Sequence, residues 1–140
     1  MAGLVIDEGL TDRMAGFYGN AASAPPNTLR LFTSVTSGLT RSSVVADFVE
    51  VTAINGYVEK AVAGADWSFA LDLILHLDVA SATYIWLFTP GPGVTILGWY
   101  LLNSAAGRVQ LAEQFAAPVI IPAVGGSLEL QIQDTYQQCP

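Results

Sequence analysis

The stretch YIWLFTPGPGVTILGWYLL, residues 84–102, decides how this chain folds. No charged residue lies between Asp78 and Arg108. A segment this apolar can be a membrane span, a buried core or a face that another subunit covers. Its centre separates the three. PGPG at 90–93 sets two prolines where a spanning helix needs an unbroken ladder, and proline both lacks the amide donor and clashes with the preceding turn. The halves, 79–89 and 94–102, fall short of the roughly 20 residues that cross a bilayer as a helix. Each has the length of a strand, about 5–10 residues. The stretch therefore predicts two strands joined as a hairpin by a tight Pro/Gly turn. The halves lack the regular lipid-facing and lumen-facing alternation of a transmembrane barrel.

Working outward, the same period of two recurs on both sides. TLRLFTSV at 28–35 sets Leu29, Leu31, Thr33 and Val35 on one face. SVVADFVEV at 43–51 and YVEKAV at 57–62 flank a turn-like ING at 54–56. SFALDLILHLDV at 68–79 reads as one strand, with Phe69, Leu71, Leu73, Leu75, Leu77 and Val79 on one side, because a helix would scatter its leucines around the axis. NSAAGR at 103–108 is a turn, and VQLAEQF at 109–115 alternates Val109, Leu111, Glu113 and Phe115. PVIIPAVGGS at 118–127 has the flanking prolines of an edge or crossing segment. SLELQIQDTY at 127–136 turns Leu128, Leu130, Ile132 and Tyr136 inward. About eight short strands predict an all-β fold, a jelly-roll-like sandwich, over residues 28–140. Residues 1–27 read as an N-terminal arm or short helix, with Leu10, Met14 and Phe17 on one side and Pro25–Pro26 ending it.

The strand after PGPG is apolar on both faces. Val94, Ile96, Tyr100 and Leu102 fall on one, and Leu97, Trp99 and Leu101 on the other. A two-layer sandwich keeps its outer face polar, so the pattern predicts a face covered by another subunit. The interface candidates are Trp86, Leu97, Trp99 and Leu101, with Leu10, Met14 and Phe17 of the arm. Composition agrees: 52% of the 140 residues are hydrophobic and 12% are charged, against a usual charged share of about 25%. Mean hydropathy is +0.48. The net charge of −7 argues against nucleic acid and against anionic membranes, both of which ask for a basic footprint. Cys139 is the one cysteine, so no intrachain disulfide or zinc cluster forms. The first twenty residues lack a basic n-region and carry Asp7 and Glu8, unlike a secretory signal.

Chemistry-bearing residues are few. Asp72, His76 and Asp78 share the second face of the predicted 68–79 strand, and two carboxylates with an imidazole are the donors a divalent cation takes. The plainer reading is a solvated strand face. His76 is the only histidine base, there is no GxSxG, and Cys139 has no basic neighbour. Asp47 and Glu50 fall on opposite faces, which suits no paired-carboxylate chemistry. GPG lacks the lysine and helix of a phosphate loop. The set predicts no enzyme, no metal and no cofactor. The aromatics could line a sugar-binding face, but they more simply fill a core and an interface.

The order of several weak motifs carries a resemblance. TLRLFTS, then ADFVEVTAINGYVEKAVAGADW, then ILGWYLLNSAAGRVQLAEQFAAP and a closing GGSLELQIQ resemble small structural proteins of tailed-phage virions. The matching positions include Leu29, Leu31 and Phe32, then Asp47, Phe48, Glu50, Gly56, Tyr57 and Trp67, then Gly98, Tyr100, Asn103, Glu113 and Phe115. The resemblance spans residues 28–133 and implies a capsid decoration (cement) protein on the virion surface, made in the host cytoplasm. It implies the major capsid protein as partner and a homo-oligomer, a trimer before other forms. A tail or baseplate component and a carbohydrate-binding module are the alternatives.

Overall fold

The computed structural model describes residues 4–5, 27–52, 55–63, 66–71 and 76–137. The chain is an all-β sandwich of two antiparallel sheets. The strands are β1 (Leu4–Val5), β2 (Asn27–Val35), β3 (Phe48–Glu50), β4 (Lys60–Val62), β5 (Ser68–Leu71), β6 (His76–Phe88), β7 (Val94–Asn103), β8 (Arg108–Ile121) and β9 (Gly126–Gln137). The larger sheet runs β1-β8-β7-β2-β3, and β4 also pairs with β2. The smaller sheet runs β5-β6-β9. Hairpins β5–β6 and β7–β8 each stay within one sheet, and the finer jelly-roll order does not follow from this pairing.

Two expectations about strands are corrected. Residues 68–79 are not one strand: β5 ends at Leu71, β6 begins at His76, and the two pair with Leu71 opposite Leu77. Period two is blind to a reversal that no glycine or proline marks. PGPG does not close a hairpin either. β6 pairs with β5 and β9, whereas β7 pairs with β2 and β8. The turn is an arch that carries the chain from one sheet to the other. Both halves are apolar because each turns a face to the same core from opposite layers.

That core is made by Leu29 and Leu31 of β2, Ile96, Trp99 and Leu101 of β7, and Leu111 and Ile121 of β8, packed against Trp86, Phe88 and Ile132 of the smaller sheet. Trp99 is 1% exposed within the single chain. Burying side chains of this size contributes about 1.5–3 kcal/mol each. The expected partition of β7 also changes. Ile96 lies opposite Val119, and Gly98 lies opposite Gln114. Two steps along β7 thus match five along β8, and this irregularity puts Ile96 with Trp99 and Leu101. Leu97 sits with Tyr100 and Leu102 instead.

The second apolar face of β7 is covered, but by the chain itself. Phe32, Phe48, Tyr100, Leu102, Val109 and Ala112 form a second cluster, with Val35, Leu39, Val45 and Leu97 packed on it. Phe48 stacks on Tyr100 at 4.6 Å between ring centroids and meets Phe32 edge-on at 5.2 Å. The segment between β2 and β3 folds over this face. A 3-10 turn at Val45–Asp47 shapes it, with the Asp47 carboxylate accepting the Val44 amide proton at 2.8 Å.

Candidate functional site

Two features outside the core hold polar or exposed groups in a defined arrangement. The first is a seam on the edge of β2. β3 covers Phe32–Val35 and β4 covers Asn27–Leu29, so the two act as one interrupted strand. The Val51 amide reaches the Leu31 carbonyl at 2.9 Å, and the chain then leaves the sheet until Lys60. The Leu31 N–H faces the gap. Tyr57 fills it: its phenol oxygen accepts that N–H at 3.1 Å and donates to Glu50 Oε1 at 3.0 Å. One side chain thus replaces a missing ladder bond.

Arg30 fastens the outside of the seam. Its guanidinium donates to Glu50 Oε2 at 3.1 Å. Its Nε lies 2.7 Å from Glu59 Oε2 without the alignment of a hydrogen bond, so that contact is ionic. Tyr100, opposite Arg30 in the β2–β7 register, accepts from the same guanidinium. Desolvation pulls the Arg30 pKa down, and the Tyr100 contact and the two glutamates outweigh it. Burial pushes the phenol of Tyr57 well up and raises that of Tyr100, where Arg30 partly offsets it. From the core side, Trp86 Nε1 donates to the Val58 carbonyl at 2.9 Å, and Lys60 Nζ lies 5.7 Å from the Trp86 ring centre. Residues 58–60 are gripped from both sides. Two carboxylates and a phenol already engage the guanidinium, so the cluster suits holding a loop in place and suits no anion.

The second feature is the arch end of the sandwich. Asn55 and Gly56 both take left-handed φ, 60° and 77°. The Asn55 carbonyl accepts from the Thr89 amide at 2.8 Å, and its side-chain amide donates to the Pro92 carbonyl at 2.6 Å. On the other side the Gly91 amide donates to the Ala123 carbonyl at 2.9 Å. Gly91 is required here because a Cβ would run into the Asn55 amide. The arch is therefore locked between the 55–56 turn and the 122–125 turn. Its surroundings are uncharged: residues 79–107 and 114–128 carry no ionisable acid, lysine, arginine or histidine. Leu87, Ile120 and Val124 are 73%, 71% and 79% exposed there, and Pro90, Pro92 and Pro122 are exposed beside them.

The residues expected at a site fall as follows. Trp86, Trp99 and Leu101 are interior and cannot meet a partner, because the arch turns them into the core between the sheets. They are equally removed from any sugar. Leu97 is half-buried against the second cluster. Leu10, Met14 and Phe17 lie outside the described residues. The premise of the Asp72, His76 and Asp78 site fails, since no single strand carries all three: His76 and Asp78 are on β6, β5 stops at Leu71, and Asp72 lies outside the described residues. Among the described residues no group of three histidine, cysteine or acidic side chains could hold a metal ion, and no helix is long and apolar enough to cross a membrane. Sequence reading missed the Arg30 seam. Its one signal is Arg30 set between two core leucines with acids on either side of the ING turn. No protein-family model matches the chain, and no curated protein matches it.

Proposed function

We propose that the protein is a structural component of a virion, a decoration protein whose uncharged arch end docks on the major capsid protein lattice. The observation that carries this is the arch end itself. A chain with net charge −7 keeps one end free of charge, rigid, and tipped with exposed Leu87, Ile120 and Val124. Leu87 and Ile120 flank the arch on the outer faces of the two sheets, and exposed apolar residues of this kind serve as contact points for a partner. A pre-formed surface loses little entropy on docking. The motif order, which resembles that of tailed-phage structural proteins, is what supports this kind of partner. Binding the assembled lattice and not its dissociated subunits stabilises the assembly by mass action.

The test uses particles with and without the protein. Particles lacking it lose resistance to heat and osmotic shock, and adding back the purified chain restores it. Leu87→Asp with Val124→Asp folds normally, since both side chains are exposed, yet fails to bind or protect. Equal resistance with and without the protein, or full rescue by the double variant, overturns the reading.

A further inference from the structure

The four outer edges of the two sheets are not equally defended. A free edge invites another strand, and proteins blunt it with short strands, prolines, bulges or lysines. The β3/β4 edge is made of two pieces of three residues each, interrupted by the 52–59 excursion. On the β8 side, β1 covers Leu111 and Ala112, and Pro118 and two register shifts break up the rest. β5 is four residues long. β9 has none of these devices. It runs twelve residues, GSLELQIQDTYQ, without proline, lysine or arginine. Among the described residues it pairs only with β6, and the irregularity in that ladder sits on β6, where three steps from Ala80 to Thr83 match two from Gln133 to Gln131.

The direction of the free groups can be read from one bond. The Ile132 amide donates to Ser81 Oγ at 2.9 Å, so Ile132 points its backbone at β6. Backbone groups alternate along an extended strand. Glu129, Gln131 and Gln133 therefore present their N–H and C=O groups to the open edge, and their side chains are exposed on the outer face.

We propose that β9 is a self-association edge, pairing antiparallel with β9 of a second copy about a two-fold axis at Gln131. Three arguments choose this occupant and register. The pairing uses the outward-pointing residues as hydrogen-bonded pairs, Gln131 with its own copy and Glu129 with Gln133 in both directions. It sets each Glu129 carboxylate against a Gln133 amide donor, whereas an in-register parallel pairing sets Glu129 against Glu129, and like charges directly opposite are unfavourable. It also overlaps eleven of the twelve residues, Gly126 through Tyr136, which becomes a continuous six-stranded sheet across the pair. The result is a two-fold dimer in place of the trimer that the family resemblance implies. The inference does not rest on the capsid reading.

Sedimentation equilibrium of the full chain over a concentration series tests it. The expected species has twice the 14.8 kDa chain mass. Gln131→Lys, which opposes two lysines across the axis, gives a monomer with an unchanged circular dichroism spectrum. Gln133→Lys, which faces a lysine with Glu129 twice per dimer, tightens the dimer by about two- to thirtyfold at low salt, from two cross-strand pairs of roughly 0.2–1 kcal/mol each. A wild-type monomer or trimer overturns the proposal. So does a dimer that survives Gln131→Lys, or one that Gln133→Lys weakens.

Discussion

Tyr57 joins two residues that sequence keeps far apart, accepting from Leu31 and donating to Glu50. Tyr57→Phe leaves the buried Leu31 amide without its acceptor, and the expected loss is about 1–3 kcal/mol in urea unfolding, since an orphaned buried donor keeps its full desolvation cost. The pH dependence has a definite sign. Burial raises the Tyr57 and Tyr84 phenols above their ordinary value near 10. A group whose folded pKa is raised supports the fold fully below its unfolded pKa, and that support drains away as pH rises beyond it. Stability should fall above about pH 10, with phenolate absorbance appearing together with unfolding, and Tyr57→Phe should make the fall shallower. Glu113 follows the same logic in the acid range. Its half-buried carboxyl is raised by burial, so the folded state holds its proton longer and stability declines as pH rises through the carboxylate range. Glu113→Gln should raise the melting temperature at pH 7 and change little at pH 3; an unchanged melting temperature at pH 7 would refute this. None of these roles was legible locally. YVEKAV reads as a strand, and nothing in it shows that the Tyr57 phenol reaches a partner 26 positions earlier.

At the scale of elements, periodicity served well where strands are regular. Leu29 and Leu31 face the core as the alternation of 28–35 requires, and Leu128, Leu130 and Ile132 of β9 pack on it too. It failed where the ladder is irregular. Strict alternation from Ile96 to Leu101 puts Trp99 on a covered outer face because it cannot register the shift at Gly98. That shift explains the glycine. A Cβ at position 98 would strike the Glu113 carbonyl and the Phe32 ring. Gly98→Ala should cost about 1–3 kcal/mol, the usual range for overpacking, read as a lower urea midpoint at unchanged slope. The hairpin expected at PGPG fails for a related reason. Pro and Gly mark a change of direction, but they do not say whether the next strand returns to the same sheet or crosses to the facing one.

For the whole molecule, the fold class was legible because it depends on sums: many short apolar alternations, punctuated by turn residues, and too few charges for a helical surface. The excess of apolar residues predicts a subunit interface. Most of it instead serves two clusters, one on each side of the larger sheet, the second roofed by Leu39, Val45 and Phe48. Among the described residues the exposed remainder is small: Val44, Val49, Val58 and Ile85, with Leu87, Ile120 and Val124 at the arch end.

The pairing of β2 has a consequence for how the chain comes off the ribosome. Its first partners to be made, β3 and β4, are three residues each, and its long partner β7 closes the register at Asn103, seventy-six residues after Asn27. At about 5–20 residues per second, β2 waits several seconds for that partner. Phe48 is made early enough to meet Phe32, but Leu31 waits for Trp99, Leu101 and Leu111, so the nascent chain should be a substrate for holding chaperones, and its yield in a cell should follow their supply.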